Sequence, residues 1–215
     1  MKNIAWCLIG LALLTAGVVA GCQSTQMVAT SAPAASEPAT MYGTGSIRTK
    51  KILYIVDGSG SMVDNFEAMR DEVLRAVGNL PPTQRFGVIL ITYGDALVVA
   101  GEKESLVPAT PENKKALKRA INADRSGAGA DMLLAYEKAF KTAFAMKPEI
   151  IYFVTDQYIE PNVLGTIADL NADKKVKLST VAYLNRDPAL QEELRTMARD
   201  NGGKYKFVSE KALGH

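Results

Sequence analysis

The stretch "ILYIVDGSGSM", residues 52–62, decides how the chain reads. Ile52 to Val56 are apolar without interruption, as a strand buried on both faces requires. Asp57 ends the run, and Gly58-Ser59-Gly60-Ser61 follow with small and hydroxyl-bearing side chains. A lone carboxylate and two serines therefore stand where a buried strand stops.

From this point to the end of the chain, β-rich runs alternate with helical patterns. The strand candidates are "KILYIVD", "RFGVILITYG", "ALVVA", "EIIYFVTD", "KLSTVAYL" and "GKYKFVS". Between them, Phe66, Met69, Val73, Val77 and Leu80 form one apolar stripe at helical spacing, and Met132, Tyr136, Ala139, Phe140 and Ala143 form another. Leu190, Leu194 and Met197 mark a last helix, with Asp187 as its cap and Pro188 in its first turn. Such alternation predicts a doubly wound α/β fold, a mostly parallel six-stranded sheet with helices on both faces. Tyr93-Gly94-Asp95 is too short for a crossover helix, so the third strand is expected as an antiparallel edge.

The composition excludes several chemistries. Twenty-five basic and 23 acidic residues leave a formal charge of +2, and Lys2 is the only charged residue before Cys22. The one dense basic run, "ENKKALKRAI", has the spacing of a solvated helix face, so no nucleic-acid footprint is expected. Both cysteines, Cys7 and Cys22, lie in the N-terminal apolar region, and the single histidine is the last residue, His215. Disulfides, thiolate nucleophiles and histidine-centred triads are not expected in the folded part. A Gly-x-Ser-x-Gly elbow around Ser59 and a Gly-Lys-Ser/Thr phosphate loop are also missing, and no small-molecule cofactor is expected.

Residues 1–21 have the layout of a secretory signal: an early cation, an apolar core from Ile4 to Ala20, then small residues. Val19-Ala20-Gly21-Cys22 resembles the bacterial lipobox, which implies cleavage before Cys22 and a lipid on that cysteine. The alternative is an uncleaved membrane helix, since roughly 17–20 apolar residues can span a bilayer. Gln23 and Ser24 stand where an aspartate would favour inner-membrane retention, so an outer-membrane anchor with the domain facing the periplasm is the expected location. Residues 22–45, rich in Ser, Thr, Ala, Pro and Gly, read as a flexible tether, and residues 46–215 as the folded domain.

In open α/β sheets, ligands sit beyond the carboxyl ends of the strands where the strand order reverses. The first strand ends in Asp57 and the fourth in Asp156. A strand order of 3-2-1-4-5-6 makes them neighbours and brings the two carboxylates to one crevice. Each aspartate alone also fits a helix cap or turn. Together, Asp57-x-Ser59-x-Ser61 and Asp156 resemble the metal-ion-dependent adhesion site of von Willebrand factor A domains, a Rossmann-like module, and the likeness extends over nearly all of residues 47–209. It implies a hard divalent cation, Mg²⁺ or Mn²⁺/Ca²⁺, held among about six oxygens. Ser59 and Ser61 would be direct ligands, and Asp57 and Asp156 would accept from coordinating waters. An open coordination position would take a carboxylate from a partner protein.

One position departs from that pattern. In "RSGAGADMLLAYEKAF", Ala130 falls where the family places a ligating threonine, and a methyl group cannot ligate. Water filling the gap, an oxygen from Asp131, or no metal at all are the outcomes left open. Gln157 replaces the glycine common after the second aspartate, and its side chain could narrow the rim. Ser126 and Thr155 read as loop or strand-end hydrogen bonders. The sequence leaves open whether Met62 and Tyr158 line a rim. The leading reading is a non-enzymatic, lipid-anchored docking module for an unidentified protein of the envelope. A passive structural lipoprotein is the alternative, and a metal-assisted hydrolase a third.

Overall fold

A computed structural model describes residues 41–42, 49–92, 94–102, 104–122 and 132–210. Among the described residues, seven strands form one sheet: β1 (Lys51–Asp57), β2 (Arg85–Thr92), β3 (Asp95–Ala100), β4 (Val107–Pro108), β5 (Ile150–Thr155), β6 (Lys177–Tyr183) and β7 (Gly202–Val208). The described residues also form α1 (Phe66–Gly78), α2 (Pro111–Ala120), α3 (Met132–Ala145), α4 (Pro161–Leu170) and α5 (Pro188–Asp200). The sheet order is β3-β2-β1-β5-β6-β7, which is the expected order once β4 is counted.

β4 corrects the expectation of six strands. It has only two residues, too short for any periodicity, and it pairs antiparallel with Arg85 and Phe86 at the start of β2. β3 occupies the rest of that edge, antiparallel from Val88 to Thr92. The other strand pairs, β1 with β2 and β5, and β6 with β5 and β7, are parallel.

Continuous apolarity in the central strands follows from cover on both faces. Ile52, Tyr54 and Val56 of β1 pack with Phe66, Met69 and Val73 of α1 and with Leu117 of α2. Leu53 and Ile55, pointing the other way, belong to the cluster that holds Phe140 of α3, Val163 and Ile167 of α4 and Leu190 of α5. Asp187 caps α5 as expected, accepting from the Ala189 amide at 2.8 Å with Pro188 in the first turn. The basic run forms α2, where Lys114 donates to the Gly78 and Leu80 carbonyls at 2.8 and 2.6 Å and so satisfies the end of α1.

Met41 and Tyr42, from the segment read as tether, pack on the domain. Met41 is fully buried in the α1-side core, and the Tyr42 amide donates to Glu72 at 2.6 Å. Among the described residues no helix is long and apolar enough to cross a membrane. Cys22, the leader and Val19-Ala20-Gly21 lie outside the described residues.

Candidate functional site

The parallel register sets Val56 beside Val154 and Asp57 beside Ile91, so β1 and β5 end together at the carboxyl edge of the sheet. The chain then turns at Gly58, whose amide donates to the Ile91 carbonyl at 2.8 Å. A Cβ on Gly58 would lie 2.9 Å from that same oxygen, so only glycine lets the loop come this close to β2. A 3-10 segment, Gly60–Asn65, carries the chain into α1.

Asp57 is fully buried, and three internal donors satisfy its carboxylate. The Ser59 amide reaches Oδ1 at 2.9 Å. Oδ2 accepts the Thr155 hydroxyl at 2.6 Å and the Tyr136 hydroxyl in a short contact. Tyr136 and Thr155 are also within 3.1 Å of one another. Burial, reinforced by the Asp57 charge, pushes the Tyr136 phenol well above its ordinary range, so it stays protonated and donates.

Nearer the surface a second string forms. The Ser61 hydroxyl donates to Asp156 Oδ1 at 2.8 Å and lies 3.1 Å from Ser59 Oγ. Gln157 Nε2 donates to Ser61 Oγ at 2.9 Å and to Asp156 Oδ1 at 3.0 Å. The Asn185 amide fixes the Asp156 carbonyl at 2.7 Å. Burial raises the Asp156 carboxyl above the usual carboxylate range and the Asp57 charge adds to this, against the bonds from Ser61 and Gln157. Ser59, Ser61 and Gln157 open onto a cleft of about 360 Å³, lined also by Leu133, Tyr136, Tyr158, Glu160 and Val163.

Asp57, Ser59, Ser61 and Asp156, all singled out from sequence, come together where β1 and β5 end, with Ser59 and Ser61 on the cleft and Asp57 buried behind them. Ala130, Asp131 and Ser126 lie outside the described residues. Met62 is buried and Tyr158 is 49% exposed, so of the two only Tyr158 belongs to the rim. Sequence reasoning misses Tyr136, because its position in an apolar helical stripe accounts for the ring. A buried tyrosine hydroxyl nevertheless needs a partner, and that requirement is the available signal.

The oxygens suit a small hard cation. An octahedral shell with bonds of about 2.1 Å places adjacent ligand oxygens about 3.0 Å apart. Ser59 to Ser61, at 3.1 Å, and Ser61 to Asp156, at 2.8 Å, match that edge. Two neutral hydroxyls and one carboxylate would leave such an ion electrophilic. Among the described residues no group of three or more His, Cys, Asp or Glu side chains could hold a metal, so a chelating carboxylate or histidine cage is not what these residues form.

Comparison with curated protein sequences gave no match. Several solved structures are similar in fold. A von Willebrand factor type A protein from Catenulispora acidiphila superposes with a TM-score of 0.58 at 20% identity, covering 77% of this chain and 42% of that one; the chain thus spans less than half of that relative. The conserved hypothetical protein BatB from Bacteroides thetaiotaomicron gives 0.55 at 18% identity, covering 76% and 93% of the two chains. An aerotolerance-related membrane protein from Bacteroides fragilis, solved with multiple mutations to serine, gives 0.55 at 15%, covering 76% and 93%. The sequence profile of the von Willebrand factor type A domain matches residues 52–213, the whole stretch that carries the sheet, the helices and the crevice, and the chain belongs to that family.

Proposed function

We propose that this domain, of a family widely used for protein–protein interaction, docks a partner protein at the crevice between β1 and β5. In this reading a divalent cation, Mg²⁺ or Mn²⁺, is held by Ser59, Ser61 and Asp156, with Asp156 meeting it directly rather than through a coordinating water as the family resemblance implies, and the partner supplies a carboxylate to it. When bound, the ion contributes an electrophilic attachment point for that carboxylate. The chain's own part is to place two hydroxyls and one carboxylate oxygen at ligand spacing. The observation that carries the reading is the Ser59–Ser61–Asp156 string, whose two serines line the cleft.

The role is binding rather than catalysis. A general base needs a free lone pair facing its substrate, and Asp57 instead spends its carboxylate on Ser59, Thr155 and Tyr136. Export and a lipid on Cys22 would hold the domain at the cell envelope, on the outer membrane and facing the periplasm.

Calorimetric titration of the detergent-solubilised full chain with Mg²⁺ and Mn²⁺ tests the cation. Weak binding is expected, lost in Ser61→Ala and strengthened in Ala130→Thr, which restores a hydroxyl at the departing position. No heat from the parent or from the Thr variant with either ion at millimolar concentration would overturn this part. Affinity capture from membranes, with and without chelator, tests the docking. A protein retained only without chelator supports it, and an identical set under both conditions counts against the bridge.

A further inference from the structure

Every hydrogen-bonding capacity of the Ser61 hydroxyl is already used. Its single proton goes to Asp156 Oδ1. A hydroxyl has two lone pairs; here one meets the Ser59 hydroxyl and the other the Gln157 amide. Because Ser61 gives its proton to Asp156, Ser59 is the donor between the two serines. Gln157 is committed in the same way, its Nε2 donating to both Ser61 Oγ and Asp156 Oδ1. An ionised carboxylate only accepts, so the nitrogen end of that amide faces the seat.

We infer that the Gln157 side chain is a displaceable cap: its amide protons occupy the Ser61 and Asp156 lone pairs that a divalent cation would take, so cation entry competes with it. This rests on the reading of Ser59, Ser61 and Asp156 as a cation seat. Either Gln157 or Ser59 must give up Ser61 before the hydroxyl can ligate. Ser59 is only 6% exposed and its amide is held by Asp57. Gln157 is half-buried at the mouth of the cleft. Its backbone amide is held separately by Thr155 Oγ1 at 2.9 Å, so the side chain can swing away while its backbone stays. The cap keeps the oxygens assembled without an ion and lowers affinity for one.

Calorimetric titration of Mn²⁺ into the detergent-solubilised full chain and its Gln157→Ala and Gln157→Gly variants tests this. Both variants are expected to bind about tenfold tighter, because two hydrogen bonds, one of them to a carboxylate, no longer compete. Ser61→Ala combined with Gln157→Ala is expected to lose that binding. If the parent binds Mn²⁺ and neither variant binds tighter, the cap is wrong and the cation seat stands. Variants that unfold at lower temperature but keep the parent's affinity overturn the cap in the same way, since that is the mark of a purely structural glutamine. If neither the parent nor the variants bind, the cation seat fails and the cap fails with it.

Discussion

Tyr136, on α3, donates its hydroxyl to Asp57, the last residue of β1 and 79 positions away in the chain. The contact ties α3 to the strand end that starts the serine loop. It also places a hydroxyl donor where a buried carboxylate needs one. Replacing Tyr136 by Phe keeps the ring, which meets Phe153 edge-on at 6.0 Å, and removes only the hydroxyl. A buried carboxylate losing one of three donors costs about 1–3 kcal/mol. Urea unfolding of Tyr136→Phe is expected to show a loss in that range with an unchanged denaturant slope. A loss below a few tenths of a kcal/mol would mean that Thr155 and Ser59 suffice.

The first turn of α5 is expected to weaken in acid. Asp187 caps that helix, and its carboxyl is held below the usual carboxylate range, first by the Tyr158 hydroxyl and then by the Ala189 amide. A carboxyl lowered on folding adds stability that is present above its unfolded value of about 3.9 and is lost as pH falls through the folded one. Asp187→Asn still caps but does not titrate. The melting temperature of the parent is therefore expected to exceed that of Asp187→Asn at neutral pH, with the gap closing below about pH 4. A gap independent of pH would exclude the charge as its cause.

The central strands are legible in the sequence because their apolar runs have no polar alternate, and a sheet covered on both faces is what that pattern encodes. The β2–β3 hairpin is legible from three residues, too few for anything but a reversal. β4 is not, since two residues show no period and Val107 and Pro108 look like loop. At the crevice, Asp57, Ser59, Ser61 and Asp156 stand out because their types contrast with the strands they end. Tyr136 and Thr155 do not contrast: each fits a helix stripe or a strand, and the hydroxyls that reach Asp57 add nothing to periodicity. Gln157 is visible as a departure, but which oxygens its amide meets depends on a side-chain direction that spacing does not encode.

Met41 is expected to matter to stability although it lies among Ser, Thr, Ala and Pro. Its side chain is fully buried against the α1-side core, where Tyr42 also meets Tyr183 with ring centroids 6.1 Å apart. Fully burying a methionine is worth about 1.5–3 kcal/mol. A chain beginning at Ser46 is therefore expected to unfold at lower urea than one beginning at Ser36, by about 2 kcal/mol in extrapolated stability. Equal stabilities would show that Met41 contributes nothing there. Cation titrations made on the shorter chain would then report the same site.

Gly58 separates the geometry of the crevice from the stability of the sheet. A methyl at this position would sit 2.9 Å from the Ile91 carbonyl and 2.9 Å from Leu90 Cδ1. The leucine end can rotate, but the carbonyl belongs to β2 and accepts the Gly58 amide itself, so the loop must move outward. Ser59 moves with it, and the 2.9 Å bond from its amide to Asp57 opens. Gly58→Ala is expected to cost about 1–3 kcal/mol of stability, the usual range for crowding a packed site. Its effect on Mn²⁺ binding should be larger, because ligand oxygens tolerate misplacement of only about 0.5 Å. The decisive comparison is with Gly78→Ala, where a Cβ meets nothing within 4 Å at the end of α1. Gly78→Ala should keep parental Mn²⁺ affinity and Gly58→Ala should lose it. Retained affinity in folded Gly58→Ala would mean that the serine loop does not have to lie against β2 to hold an ion.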